Sequence, residues 1–283
     1  MKIVFSEKCL EYESPGHPES PSRVSSSYEF LKDKFEFTKP SVCKEKDLRL
    51  VHTEDLIKKV KKNDFFDFDT PNIKNIYNYA LLSVGGAIKA AQLALKGINS
   101  FSLMRPPGHH AGRDFLGGFC YFNNIAVAVK KLQQKRNMKI AICDFDVHHG
   151  NGTQDIFLGD ESVLYISIHQ VPLFPGTGFK TEKNCVNIPL PPGTTEDKYL
   201  KIFKHVIRTI KNFKPEILAI SAGFDTYEGD SISNINLKKE SYRKIGSMLS
   251  SVGVSSFSVL EGGYSNDLKF CIYNFLQGIE KHE

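Results

Sequence analysis

No tryptophan occurs among the 283 residues, no two cysteines form a Cys-x-x-Cys pair, and nowhere do about 18 apolar residues run together. Each absence closes off a class. The missing apolar run leaves no membrane-spanning helix to expect. The six cysteines, Cys9, Cys43, Cys120, Cys143, Cys185 and Cys271, are scattered, which argues against both a structural zinc knuckle and a disulfide framework. A reducing cytoplasm fits that usage. The opening stretch MKIVFSEKCLEYE turns acidic after four apolar-rich residues, so no signal peptide is expected and the chain reads as soluble and cytoplasmic. Internal repeats, low-complexity tracts and polar linkers are lacking too, and one domain over residues 1–283 is the economical expectation. Charge of one sign is also scarce: 37 Lys+Arg face 32 Asp+Glu, for a net +5, with acidic residues between the lysines. No basic stripe with interleaved aromatics stands out, so neither nucleic acid nor a membrane is expected as a partner. Short connections mildly favour a monomer.

What is present is an ordinary globular composition, 41% hydrophobic and 24% charged. A chain of this length buries about three quarters of its unfolded surface and needs no staples. Short runs rich in Val, Ile and Phe alternate with longer stretches of helical periodicity, the pattern of βα units around a mostly parallel sheet. The expectation is a three-layer α/β/α fold. Strands are expected at 2–5, 100–103, 139–143, 163–168, 216–221 and 256–260, and helices at 22–34, 72–96, 123–136, 195–212, 237–251 and 264–279. Gly85 and Gly86 in the long helix read as permitting close packing rather than as a break.

The chemistry concentrates after the strands. Of nine histidines, four form two adjacent pairs, His109-His110 after Arg-Pro-Pro-Gly, and His148-His149 inside DFDVHHGNG from Asp144. The lone His17, His52, His205 and His282 read as core or surface groups. The expected strand at 139–143 runs into Asp144-x-Asp146-x-His148, and period-two alternation sends all three to one side while the chain stays extended. A carboxylate and an imidazole there can share a metal. The plainer alternative is a salt-bridge or capping role for one carboxylate, because unpaired charge at a buried strand end is costly. Asp225 in SAGFD, after the apolar run from Ile217, is the best third ligand, although alone it could equally cap the next segment. Three protein ligands leave one position open, the mark of a catalytic site. One imidazole with two carboxylates suits zinc (Zn2+) and leaves Fe2+, Co2+ and Mn2+ open. Hydrolysis at such a site needs a nearby proton acceptor, which His109 and His110 can supply. The loop Glu261-Gly262-Gly263-Tyr264 lets backbone approach a ligand and offers a phenol to a developing oxyanion.

Collinear motifs then span nearly the whole chain: GHPESPSR from Gly16, Val51-His52-Thr53, Asp69-Thr70-Pro71, RPPGHHA from Arg105, GGFCYFNN from Gly117, DFDVHHGNGTQ from Asp144, FPGTG from Phe174, SAGFD from Ser221 and EGGY from Glu261. On these the sequence resembles the histone deacetylase and acetylpolyamine amidohydrolase superfamily, which shares its fold with arginases. The Arg-Pro-Pro form and Asn151 look like the second eukaryotic class and its bacterial and archaeal relatives.

The resemblance implies zinc held by Asp146, His148 and Asp225, with Tyr264 hydrogen-bonding the acetyl carbonyl. It implies His110, oriented by Asn151, as the general base and acid, and His109, held by Asp144, as an electrostatic partner. A neutral amide at Asn151 raises imidazole basicity less than a carboxylate would. Asp144, Asp146, His148, Ser167 and Ile168 resemble an inner monovalent-cation site, usually potassium (K+). Phe119 and Phe174 would wall a narrow tunnel past Gly118, Asp69 would be a rim carboxylate, and Arg23 would lie near the acetate exit path. Arginases need a further carboxylate two positions after the residue matching His148, where this chain has Gly150, so a one-metal site follows. Ile232 stands where polyamine-selective relatives can carry a rim glutamate. The implied activity is metal-dependent hydrolysis of an acetylated lysine side chain or related amine, in a peptide or protein or as an acetylated small amine. The alternatives are an acetylpolyamine amidohydrolase and a non-catalytic acyl-amine binding protein.

Overall fold

The computed structural model describes residues 1–280, so His282 lies outside the described residues. Eight strands, β1 Lys2–Val4, β2 Glu36–Thr38, β3 Ser100–Ser102, β4 Ile140–Asp144, β5 Val163–Gln170, β6 Cys185–Leu190, β7 Ile217–Ala222 and β8 Ser256–Leu260, form one sheet. Its order is β2-β1-β3-β8-β7-β4-β5-β6, and every pairing is parallel. The central strands read as unbroken apolar runs because both of their faces are covered. In β4, Ala141 and Cys143 join one core, while Ile140 and Ile142 join the other.

The first core is closed by α1 (Pro21–Leu31), α7 (Glu196–Phe213), α8 (Ser241–Ser250) and α9 (Leu268–Glu280). The opposite core is closed by α2 (Glu45–Leu48), α3 (Glu54–Lys62), α4 (Ile76–Ala94), α5 (Asn124–Gln133) and α6 (Asn151–Phe157). The expected three layers are therefore present. Helix α4 runs without a break through its glycine pair: a Cβ at Gly85 would come within 1.9 Å of the Ser41 carbonyl oxygen.

Several expected boundaries need correction. The helix expected from 264 begins at Leu268, because the Asp230 carboxylate accepts the Tyr264 and Ser265 amides and holds both residues in the loop. The helix expected from 72 begins at Ile76, since the Asn72 side chain bonds the Asn63 and Phe65 carbonyls. The helix expected from 237 begins at Ser241, since Leu237 pairs with the segment at Tyr227. Strands β2 and β6 and helices α2, α3 and α6 were not expected. Strand β6 carries Asn187 and Pro189 at a sheet edge, where proline is tolerated and alternation weakens.

A parallel sheet sends the C-terminal ends of all its strands to one edge, where ligands of open α/β sheets bind. Five consecutive strands, β3, β8, β7, β4 and β5, end there beside the expected site motifs.

Candidate active site

The chain leaves the extended conformation at Asp144, yet Asp146 and His148 still converge. The Asp146 Oδ1 atom accepts the His148 amide at 2.9 Å and lies 3.0 Å from His148 Nδ1, so the turn itself brings carboxylate and imidazole together. Asp225, three residues past β7, brings Oδ2 to 3.3 Å from the same nitrogen. Donor atoms of Asp146, His148 and Asp225 all lie within 4.8 Å of one another. The Asp225 Oδ1 atom accepts the Val147 amide at 2.8 Å, whereas its Oδ2, fully buried, makes no well-formed hydrogen bond and faces only the His148 nitrogen. A buried acceptor without a donor is expensive, and a cation is the partner that this geometry suits. Glycine at 262 is required here, because a Cβ would fall 2.0 Å from that oxygen, while the Gly262 amide donates to Asp146 Oδ2 at 2.7 Å.

The charges describe the same cradle. Burial pushes Asp225 up to about 7, and the neighbouring Asp146 carboxylate adds to it against the pull of His148. Two carboxylates this close cannot both ionise freely without a positive partner. Burial lowers His148, but Asp146 and Asp225 outweigh it and push the imidazole up to about 9. Burial would also raise Asp146, which His109 and His148 instead hold well below the ordinary carboxylate range. A proton on His148 thus supplies the positive charge that a divalent ion would bring.

The histidine pair from the loop after β3 has two different environments. His109 Nδ1 lies 3.1 Å from Asp144 Oδ2, and Nε2 lies 3.8 Å from Asp146 Oδ1. Burial works against its charge, but Asp146 and Asp144 prevail and push it up to about 10. His110 Nδ1 bonds Asn151 Oδ1 at 2.8 Å. Burial, reinforced by positive His109 and His148, holds His110 well below the ordinary imidazole range. The two rings are therefore driven in opposite directions, His109 toward its charged form and His110 toward its neutral one, with centroids 4.0 Å apart.

Above these groups opens a shaft of about 170 Å³ lined by Asp69, Gly118, Phe119, Phe174, Ile232 and Tyr264 together with His109, His110 and His148. Tyr264 crosses Phe119 edge to face at 5.8 Å, and Phe174 meets His110 at 4.9 Å. The Arg23 guanidinium lies 4.6 Å over the Tyr264 ring and donates to the carbonyls of Gly263 and Glu261, both at 2.6 Å. Beneath the floor, the β4–β5 register sets Asp144 opposite Ser167, with Ile168 next along; the Ser167 hydroxyl lies 2.9 Å from His169 Nδ1. His149 does not join the cluster at His148. Its ring bonds Thr177 and Gln154 and so ties down the loop that carries Phe174.

Four supporting residues were not singled out in the sequence. Glu261, fully buried, accepts the Gly108 and His109 amides and the Ser221 hydroxyl, which locks the histidine loop to β8. Glu19 accepts two bonds from Arg105 at 2.8 Å and pairs with Arg23 at 3.3 Å. Asp230 anchors Tyr264 through its backbone, at 2.6 Å. Glu19, Arg105 and Glu261 lie inside recognisable motifs, but the pairings of their side chains join residues up to 153 apart that no spacing reveals.

Comparison with known proteins gives the family. The histone deacetylase domain matches residues 17–277. The chain belongs to the histone deacetylase family. It is 40% identical over 292 residues to a probable deacetylase of Archaeoglobus fulgidus, across 93% of this chain and 81% of that protein. It is 35% identical to acetylpolyamine amidohydrolase 2 of Pseudomonas aeruginosa, across 76% of this chain and 66% of that one. Among solved structures it resembles the HDA15 HD domain, with a TM-score of 0.92 and 32% identity, covering 97% of this chain and 87% of that one. An acetylpolyamine aminohydrolase from Burkholderia pseudomallei gives 0.91 at 26% identity, with 98% of each chain covered. This deacetylase-family chain is an amide hydrolase of acylated amines with the arginase-like fold.

Proposed function

We propose that the chain is a zinc-dependent deacetylase that splits the amide between an acetyl group and a linear primary amine, releasing acetate. The observation that carries this reading is the orphaned Asp225 oxygen beside Asp146 and His148 at the floor of an apolar shaft. A divalent ion bound there would polarise the acetyl carbonyl and acidify a water molecule.

The chain's own groups supply the rest. Asn151 Oδ1 accepts from Nδ1–H of His110, which leaves Nε2 of that neutral ring unprotonated and able to take the proton of the attacking water. The same nitrogen then returns the proton to the departing amine. Charged His109, held by Asp144, favours the negative charge that develops at the carbonyl oxygen, and the Tyr264 phenol donates to it. Phe119 and Phe174 hold the aliphatic stem and exclude water. Asp144, Asp146, His148, Ser167 and Ile168 would hold a structural potassium below the floor, a role supported by the β4–β5 register. Six free, buried cysteines suit a reducing cytoplasm, and among the described residues no helix is long and apolar enough to cross a membrane. Asp69 at the mouth favours a second reading, in which the amine is an acetylated polyamine whose free ammonium group meets that carboxylate.

The test is turnover of an acetyl-lysine peptide by zinc-loaded protein and by Tyr264→Phe. The variant should lose roughly 100-fold in kcat, the size of one oxyanion donor, with its metal content and melting unchanged. Equal turnover would contradict the assignment.

A further inference from the structure

Four phenylalanines are strongly exposed among the described residues: Phe66 at 82%, Phe68 at 92%, Phe174 at 43% and Phe179 at 61%. All four lie on two loops, residues 63–73 and 171–184, and these loops also supply Asp69 and Phe174 to the shaft. Large apolar side chains exposed together in this way mark a contact surface rather than ordinary scatter. Phe66 and Phe68 stack edge to face with centroids 5.3 Å apart.

The loop that carries this pair is firmly held. Its base is closed reciprocally: Asn63 Nδ2 donates to the Ile73 carbonyl at 2.7 Å, and Asn72 Nδ2 donates to the carbonyls of Asn63 and Phe65 at 2.7 and 3.0 Å. Its crest is pinned where Asp67 Oδ1 accepts the Asp69 and Thr70 amides, and Thr70 Oγ1 accepts the Phe119 amide at 2.9 Å. His17 Nε2 meets the Asp69 carbonyl at 3.0 Å. The held loop thus presents two exposed rings beside the shaft wall. Between them and around them the crest carries Asp64, Asp67 and Asp69, while Lys62 and Lys74 stand at the base.

We propose that Phe66 and Phe68 form a substrate-docking rim for a polypeptide, taking apolar and basic side chains that flank the acylated lysine. This rests on the deacetylase reading above and names its substrate class. A free acetylated polyamine has charge for the carboxylates but no side chain to cover two phenyl rings. A peptide with leucine and arginine beside the modified lysine answers both features at once. Burying one phenyl ring is worth about tenfold or more in binding, which is enough to set preference among peptides without touching the chemistry.

The experiment compares three substrates of the zinc-loaded enzyme: an acetyl-lysine peptide flanked by leucine and arginine, one flanked by glycine and glutamate, and acetylspermidine. The first should exceed the second by about tenfold or more in kcat/KM. The combined variant Phe66→Ser, Phe68→Ser should erase that preference through KM, with kcat and acetylspermidine turnover unchanged. Equal rates for the two peptides, or a preference that survives in the variant, would overturn the rim. Fluorescence anisotropy of the labelled leucine–arginine peptide on Tyr264→Phe separates the two claims. If the zinc-loaded wild type hydrolyses none of the three substrates, yet the peptide binds Tyr264→Phe and binds it about tenfold more weakly without the two rings, the rim stands and the catalytic reading falls. No binding overturns the rim, as does sedimentation showing a dimer that the double substitution dissolves, which would give the rings to a second copy of the chain.

Discussion

At the floor of the shaft Asp144, Asp146, Asp225 and Glu261 have no solvent exposure, and amides, hydroxyls or imidazoles from neighbouring strand ends hold each of them. At its mouth Phe66 and Phe68 are more than four-fifths exposed, and their loop is held by side chain–backbone bonds lower down, from Asn72 and Thr70. The difference teaches where change is tolerated. Removing one partner at the floor strands a buried charge or an orphaned donor, so the proposed chemistry and the fold stand on the same side chains. The mouth can change its preference while both stay intact.

The largest expected effect lies just behind the floor. Glu19→Ala leaves Arg105 and Arg23 buried without their carboxylate and should cost about 3–5 kcal/mol of stability. In a chain of this size that lowers Tm by roughly 10 °C. Burial would raise the Glu19 carboxyl, but Arg105 and then Arg23 outweigh it and hold it below the usual carboxylate range. A depressed folded value means that the stabilisation is complete above the unfolded glutamate value of about 4.3 and is lost as pH falls through the folded value. Thermal melts of the wild type and Glu19→Gln should therefore differ by a constant amount at neutral pH and converge in acid. A gap that persists in acid would show that the carboxylate's charge is not what stabilises.

A smaller effect tests how the floor is aimed. Asp230→Ala frees the Tyr264 and Ser265 amides and should lower kcat between about tenfold and 100-fold, with KM little changed. If Asp230 acts through the phenol, the same change made in Tyr264→Phe should cost nothing more. Additive losses in the double variant would give Asp230 a separate role. The smallest effect belongs to the mouth: Phe68→Ser should leave stability within about 0.5 kcal/mol of wild type, and a larger drop would mean that the ring is part of the core.

The floor was legible in the sequence and its supports were not, for a physical reason. Parallel strands deliver their C-terminal loops to one edge, so motifs after β4, β7 and β8 meet there: the strand ends alone offer Asp146 and His148 with Asp225 as a candidate, and the family resemblance adds Tyr264. The contacts of Glu19, Asp230 and Glu261 depend on which loop lies beside which, and hydrophobic periodicity does not carry that information. Helix α3 shows the same limit on a small scale. Leu56, Ile57 and Val60 make an apolar stripe behind the Thr53 cap, but six charged residues among nine obscured it. Apolar spacing fits a helix that includes Tyr264, and a single buried carboxylate, Asp230, keeps that residue in the loop instead.

The central claim is that Asp146, His148 and Asp225 together hold one divalent ion. Elemental analysis after equilibration with zinc, on wild type and on Asp225→Asn, with circular dichroism melts to confirm that both are folded, addresses it most directly. The account predicts about one equivalent of zinc per wild-type chain and almost none in the variant. Zinc retained at full stoichiometry in folded Asp225→Asn, or absent from the wild type, would contradict it.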